Sequence, residues 1–203
     1  YGSEYPAIIL PDGYFESLRE LGREISYLRS GREALLLAAI TCRESREKTS
    51  VILFPAYCCW SMSAPFEKAD WKIVYYRLNE DLTVDIDYLK QLLKREKPQA
   101  VLTMNFYGSA STNEAVNAVK NFDEKVVVIE DFSHCTFSIK QIHNPQVDIY
   151  VSSIRKSIGV CDGSVILSKI PVKKEYIQEE VKDFADTRYA AQKEKERYKW
   201  TND

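Results

Sequence analysis

A chain of 203 residues with 45% hydrophobic content can bury a core of domain size. Its 28 basic and 30 acidic side chains nearly cancel to a formal charge of -2, so no global field draws it to nucleic acid or to an anionic membrane. No apolar run approaches the roughly 20 residues of a membrane-spanning helix, and the start YGSEYPAIILPDG has neither the basic residues nor the cleavage site of a signal peptide. The expectation is a soluble, cytoplasmic protein whose partners are small, roughly neutral ligands or other proteins.

SGREALLLAAITCRE, opened by a possible cap at Ser30, predicts a helix, and VILFPAY predicts a strand broken by Pro55. KIVYYRL predicts a second strand. DIDYLKQLLKREKP follows as an amphipathic helix with an acidic first turn and a basic last turn, ended by Pro98. QAVLTMNFYG, STNEAVNAVKNF, KVVVIED and DIYVSS repeat the scheme of apolar strand and polar-faced helix. The alternation predicts an α/β fold, a mostly parallel central sheet with helices on both faces. After Pro171 the chain becomes highly charged and helix-prone with no further strand. Cys42, Cys58, Cys59, Cys135 and Cys161 form no CxxC pair and leave an odd number, which predicts reduced, mostly buried thiols and neither a zinc ribbon nor a disulfide framework.

In open α/β sheets ligands bind beyond the carboxyl ends of the strands. The predicted ends are Tyr57 to Trp60, Asn105 to Gly108, Asp131 to His134 and Ser152 to Lys156. The glycines are too far apart for a GxGxxG turn or a GxxxxGK loop, and no GxSxG elbow is present. His134 and His143 are the two histidines, outside any HExxH or clustered Cys/His spacing, so no catalytic metal is expected. What remains is Lys156, between a hydrophobic strand and the Asp162-Gly163 turn. A lysine whose pKa is lowered attacks carbonyls and forms a Schiff base. If the carbonyl belongs to pyridoxal phosphate, its ring nitrogen needs an anion to stay protonated, and Asp131 at the end of VVVIED is placed to supply it. The cofactor's phosphate would need helix N-terminal N–H groups and hydroxyls, which Ser30-Gly31-Arg32, Ser152 and Ser153 offer.

SGREAL, FPAYCCWSMSAPF, VDIDYLKQLLKREKPQAVLTMNFYG, IEDFSHC and SSIRKSIGVCDGSVIL together resemble the DegT/DnrJ sugar aminotransferases, a family of fold type I pyridoxal phosphate enzymes, over roughly residues 25 to 168. The resemblance implies that residues 1–170 form the cofactor-binding large domain with an N-terminal extension, and that 171–203 start a small C-terminal domain whose strands are absent here. It implies that Lys156 forms the Schiff base and moves protons, that Asp131 pairs with the pyridine nitrogen, and that His134 lies near the phenolic oxygen. Gly31 and Arg32 would cup the phosphate, with Ser152 or Ser153 adding a hydroxyl. Tyr57 and Trp60 compete to stack on the cofactor, and Asn105 and Tyr107 are candidates for the substrate side. The implied activity moves an amino group from an amino acid, glutamate by resemblance, to a nucleotide-linked keto sugar, in a homodimer. Elimination or dehydration through the same cofactor, and a noncatalytic binding or assembly module derived from the fold, are the alternatives. IEDFSHC carries Phe132 and Ser133 where the family commonly has two small residues, and SIRKSIG departs from its commonest lysine-loop spacing.

Overall fold

The computed structural model describes residues 13–44, 50–108, 111–176 and 182–201, so most of the expected N-terminal extension lies outside the described residues. A short helix α1 (Tyr14–Ser17) precedes strand β1 (Glu24–Leu28) and helix α2 (Gly31–Glu44). Three strand–helix units follow: β2 (Val51–Pro55) with α3 (Trp60–Lys68), β3 (Lys72–Tyr76) with α4 (Ile86–Glu96), and β4 (Ala100–Met104) with α5 (Asn113–Phe122). Strand β5 (Val127–Asp131) is followed by the single turn α6 (Ile139–Ile142), and β6 (Ile149–Ser152) by a 3-10 turn, Ile154–Lys156. Strand β7 (Ser164–Ser168) and helix α7 (Lys182–Thr201) complete the described chain.

The seven strands form one sheet in the order β1-β7-β6-β5-β4-β2-β3. From β3 to β6 every pairing is parallel, whereas β7 runs antiparallel to both β6 and β1. Chain order reverses between β2 and β4, because β3 lies outside β2 while β4, β5 and β6 run off the other side. A crevice forms at the carboxyl ends of strands where order reverses in this way.

Local signals place these elements. Ser30 Oγ accepts the Glu33 N–H at 3.3 Å while the Glu33 carboxylate accepts the Arg29 N–H at 3.1 Å, a reciprocal cap that starts α2 where the sequence expected it. Asp85 caps α4 through the Tyr88 N–H at 2.9 Å, and Lys97, left-handed at φ +46°, ends it before Pro98. Strands β2, β4, β5 and β6 are buried along their whole length, as a sheet covered on both sides requires. One face packs Leu102, Ile129 and Val151 under α2 and α3, and the other packs Val101, Val128 and Tyr150 under α4 and α5.

The expected α/β architecture is present, with three additions. Strand β1, helix α3 and the antiparallel return of β7 were not separate expectations. The cysteines are free thiols, but among the described residues only Cys42 is fully buried and Cys59 is exposed, which corrects the expectation of mostly buried thiols. Among the described residues no helix is long and apolar enough to cross a membrane.

Candidate active site

The carboxyl ends of β4, β5 and β6 stand side by side, with Asp131 level with Met104 on one neighbour and Val151 on the other. Asp131 closes a fully buried strand and is 2% exposed. Its Oδ1 accepts the Ser133 N–H at 2.7 Å, a side-chain turn that stops the strand and fixes the carboxylate at its end. Ser133 then ties β5 to β6, its Oγ accepting the Ser153 N–H at 2.9 Å.

Lys156 lies one turn further on, half-buried, its N–H donating to Ser153 O at 3.1 Å. The loop that carries it is closed at its base: Ile154 N–H donates to Gly163 O at 3.0 Å, and Gly163 N–H to Arg29 O at 2.7 Å. Gly163 has φ +113°, a conformation side chains disfavour, so the Asp162-Gly163 turn is what lets the chain come back into β7. Ile154 and Ile158, both buried, anchor the turn on either side of the lysine.

His134 lies within electrostatic reach of this lysine. Burial first, and then the Lys156 charge, hold the imidazole below its ordinary pKa, while the Asp131 carboxylate pulls the other way. Amine, imidazole and carboxylate therefore share one electrostatic neighbourhood. The ring lies flat against Tyr107, with centroids 4.6 Å apart and planes 21° apart, and its Nδ1 is buried with no hydrogen-bond partner. Tyr107 reaches this position through a left-handed backbone, φ +57°, followed by Gly108 at +74°. A non-glycine residue held there costs about 1–3 kcal/mol, a strain characteristic of functional sites.

Gly31 opens the 14-residue helix α2 directly against Ser153. A Cβ at Gly31 would stand 2.9 Å from Ser153 Cβ, too close for any side chain. Ser30 takes up the N–H groups of Glu33 and Ala34, while those of Gly31 and Arg32 are the first two of the helix and have no intrahelical carbonyl to reach. The Arg32 side chain is exposed.

The other expected residues divide. Ser152 Oγ donates to Phe132 O at 3.2 Å and meets Thr136 Oγ1 at 2.6 Å, a hydroxyl chain fed by Ser157 Oγ at 3.0 Å, so its hydroxyl is committed beneath the lysine turn and Ser153 is the serine beside Gly31. The Asn105 side chain is buried, its Oδ1 accepting from Cys135 Sγ at 3.5 Å. Tyr57 and Trp60 are 59% and 71% exposed at the end of β2 and the start of α3, Tyr57 tilted on Phe106 with centroids 5.6 Å apart. Not foreseen were Ser133, Thr136, Cys135, Thr112 and the fully buried Glu130. A charged residue one position before the last in an otherwise apolar strand run was the available signal for Glu130.

No family model matches the chain, and no curated protein matches it in sequence. Solved structures do. A serine palmitoyltransferase from S. paucimobilis with bound PLP superposes with a TM-score of 0.63 at 18% identity, over 88% of this chain and 50% of that one. A NifS-like protein gives 0.67 at 14% identity, over 89% and 55%, and a sphingosine-1-phosphate lyase from Burkholderia pseudomallei gives 0.66 at 10%, over 89% and 53%. The chain spans about half the length of the solved structures it matches. At these identities the shared property is the fold, and it is that of the large domain of the fold type I pyridoxal phosphate-dependent enzymes.

Proposed function

We propose that the chain binds pyridoxal 5'-phosphate at the ends of β4, β5 and β6 and uses Lys156 to transfer an amino group from an amino acid, glutamate by the family resemblance, to a nucleotide-linked keto sugar. The observation that carries this reading is the convergence of Asp131, His134 and Lys156 at the ends of two adjacent parallel strands, with Gly31 turned onto Ser153.

The residues present suit such a cofactor. The N–H groups of Gly31 and Arg32, with the Ser153 hydroxyl, form a cradle for a phosphate that an added Cβ would fill. The orphaned Nδ1 of His134 needs a polar partner, and a phenolic oxygen would be one. Asp131, held by the Ser133 N–H, would keep a pyridine nitrogen protonated. Tyr57 or Trp60 would cover the ring, and Tyr107 would face the substrate.

When bound, the cofactor supplies an electrophilic carbon and a cationic ring that takes up the electron pair released at the substrate carbon. Lys156 would hold the cofactor and, as a free amine, would serve as the acid and base that moves a proton at the substrate carbon. Its short, doubly closed turn limits that motion to the side chain. A second copy of the chain in a homodimer would cover the exposed aromatic residues at the strand ends.

The test is the visible absorption spectrum of the chain with pyridoxal phosphate, before and after borohydride, beside Lys156→Ala. Absorbance that borohydride abolishes, and that the variant lacks, is the expected result. Absorbance unaffected by the substitution would overturn the assignment of Lys156. Product analysis with glutamate and a keto sugar then separates amino transfer from elimination.

A further inference from the structure

We propose that Thr136 is a positioning residue: as the middle of three linked hydroxyls, it ties the turn that carries Lys156 to the segment that carries His134 and fixes one against the other. Its consequence for the reaction rests on the cofactor reading above; the tie itself does not.

Asp131 ends β5, and the chain then runs from Phe132 to Thr136 with His134 at the centre. Ser152, at the end of the neighbouring strand β6, meets both ends of this segment. Its Oγ donates to Phe132 O at 3.2 Å and lies 2.6 Å from Thr136 Oγ1. Ser157, the residue after Lys156, donates from its Oγ to the same Thr136 Oγ1 at 3.0 Å. Ser152 and Thr136 have no exposed surface, and Ser157 is half-buried.

The direction of the chain follows from its donors. Ser152 gives its one proton to Phe132 O and Ser157 gives its own to Thr136, so the Thr136 hydroxyl donates to Ser152. The bonds therefore run one way, from Ser157 through Thr136 and Ser152 to Phe132 O, with an acceptor for every proton. Phe132 O also accepts the Cys135 N–H at 2.9 Å, which uses its second lone pair and closes the turn after β5. Removing the Thr136 hydroxyl breaks two links at once and detaches the lysine turn from the His134 segment.

Packing alone would not fix that separation. Lys156 lies on a single 3-10 turn whose buried anchors, Ile154 and Ile158, are apolar, and hydrophobic contact has no preferred direction. A hydrogen bond sets both distance and angle. Thr136 is itself held from the outer side, where the Tyr14 hydroxyl donates to Thr136 O at 2.8 Å and the Tyr14 ring meets Phe137 edge-on with centroids 5.0 Å apart. The hydroxyl chain thus has a braced middle and a fixed end, and the lysine turn is what it holds.

Hydrogen exchange of the whole chain without cofactor tests the tie. The reporters are the amides of the turn: Lys156 N–H, which donates to Ser153 O at 3.1 Å, and those of Ser157 and Ile158, which donate to Ile154 O at 2.9 and 3.2 Å. Thr136→Val keeps the shape and removes the hydroxyl, and is expected to speed their exchange by on the order of tenfold, the worth of one hydrogen bond. Thr136→Ser keeps the hydroxyl and removes the methyl, and is expected to exchange as the unaltered chain does; a role in packing would order the two variants the other way round. On mixing with pyridoxal phosphate, the borohydride-sensitive absorbance is expected to appear about tenfold to a hundredfold more slowly in Thr136→Val and to recover its rate in Thr136→Ser. If Thr136→Val does not fold, Ser157→Ala, which removes only the first link, carries the test with the same expectations. Unchanged exchange in Thr136→Val, or equally fast exchange in Thr136→Ser, overturns the tie. Faster exchange with an unchanged rate overturns the positioning role. The expected exchange pattern in a chain that never develops the absorbance would remove the cofactor reading and leave the tie supported.

Discussion

Asp131 and Glu130 are neighbours on one strand, both almost fully buried, and the two faces of the sheet treat them differently. On the face covered by α2 and α3, Asp131 stands at the strand's open end, fixed by a backbone N–H and within electrostatic reach of Lys156 through His134. On the face covered by α4 and α5, Glu130 lies one step deeper, where the Thr112 hydroxyl donates to one oxygen and the other oxygen has no partner. Residue type is nearly the same; what differs is depth and the supply of donors. The first arrangement leaves a carboxylate at the open end of the strand, and the second buries a carboxyl inside the core.

The largest expected effect that sharpens this contrast is on stability against pH. Because the Glu130 carboxyl is raised from 4.5 to about 7 in the folded chain, the folded state holds that proton more tightly than the unfolded state. Its contribution is complete below the unfolded value of 4.5 and is lost as pH rises through about 7. A shift of that size corresponds to about 3 kcal/mol. Urea unfolding across this window should show the decline in the unaltered chain and a flatter curve in Glu130→Gln. Equal slopes would mean that Glu130 is no more perturbed than a surface glutamate, and the contrast between the faces would disappear.

On the other face, Gly31→Ala should break the cradle. The new methyl meets Ser153 backbone-proximal atoms at 2.9 Å, where neither side chain can swing away. Overpacking of this kind costs about 1–3 kcal/mol, partly offset by alanine's better helix propensity of about 1 kcal/mol. Cofactor retention should suffer more than folding does, so the Kd for pyridoxal phosphate should rise well beyond what the small loss of denaturation midpoint implies. Parallel losses of both, or a binding constant left unchanged, would show that the approach of α2 to Ser153 matters only for packing.

How legible these regions were in the sequence follows from the same physics. The buried strands β2, β4, β5 and β6 read as continuous apolar runs, α2 announced itself by a cap at Ser30, and α4 by its amphipathic pattern and the charges of its end turns, because these features are local. Helix α3 did not, since Pro65 sits inside WSMSAPFEK and a proline ordinarily argues against a helix there. Strand β1 is half covered, with a mixed burial pattern, and its register against β7 depends on residues some 140 positions away in the chain, which no local pattern encodes. At the candidate site, Lys156 and Asp131 were visible as chemically unusual residues at strand ends. The commitment of Ser152 to Thr136, of Asn105 to Cys135 and of Glu130 to Thr112 was not, because each joins separate loops and only the folded register decides which partner comes within reach.

The smallest expected effect concerns Tyr107, the exposed ring stacked on His134. Tyr107→Asn removes a ring whose stacking is worth about 0.5–1.5 kcal/mol and relieves a left-handed backbone that asparagine tolerates, a gain of about 1 kcal/mol. The two nearly cancel, so stability should change by less than about 1 kcal/mol. The His134 titration should not cancel in the same way. Burial is the first cause of its depressed pKa, and Tyr107 is the ring lying flat on it, so the midpoint should rise toward the ordinary histidine value in the variant. A depressed folded value means stability that is present above the unfolded pKa and lost as pH falls through the folded one, and that loss should narrow as the midpoint recovers. An unchanged midpoint would assign the cover to other neighbours of the ring, Phe106 among them.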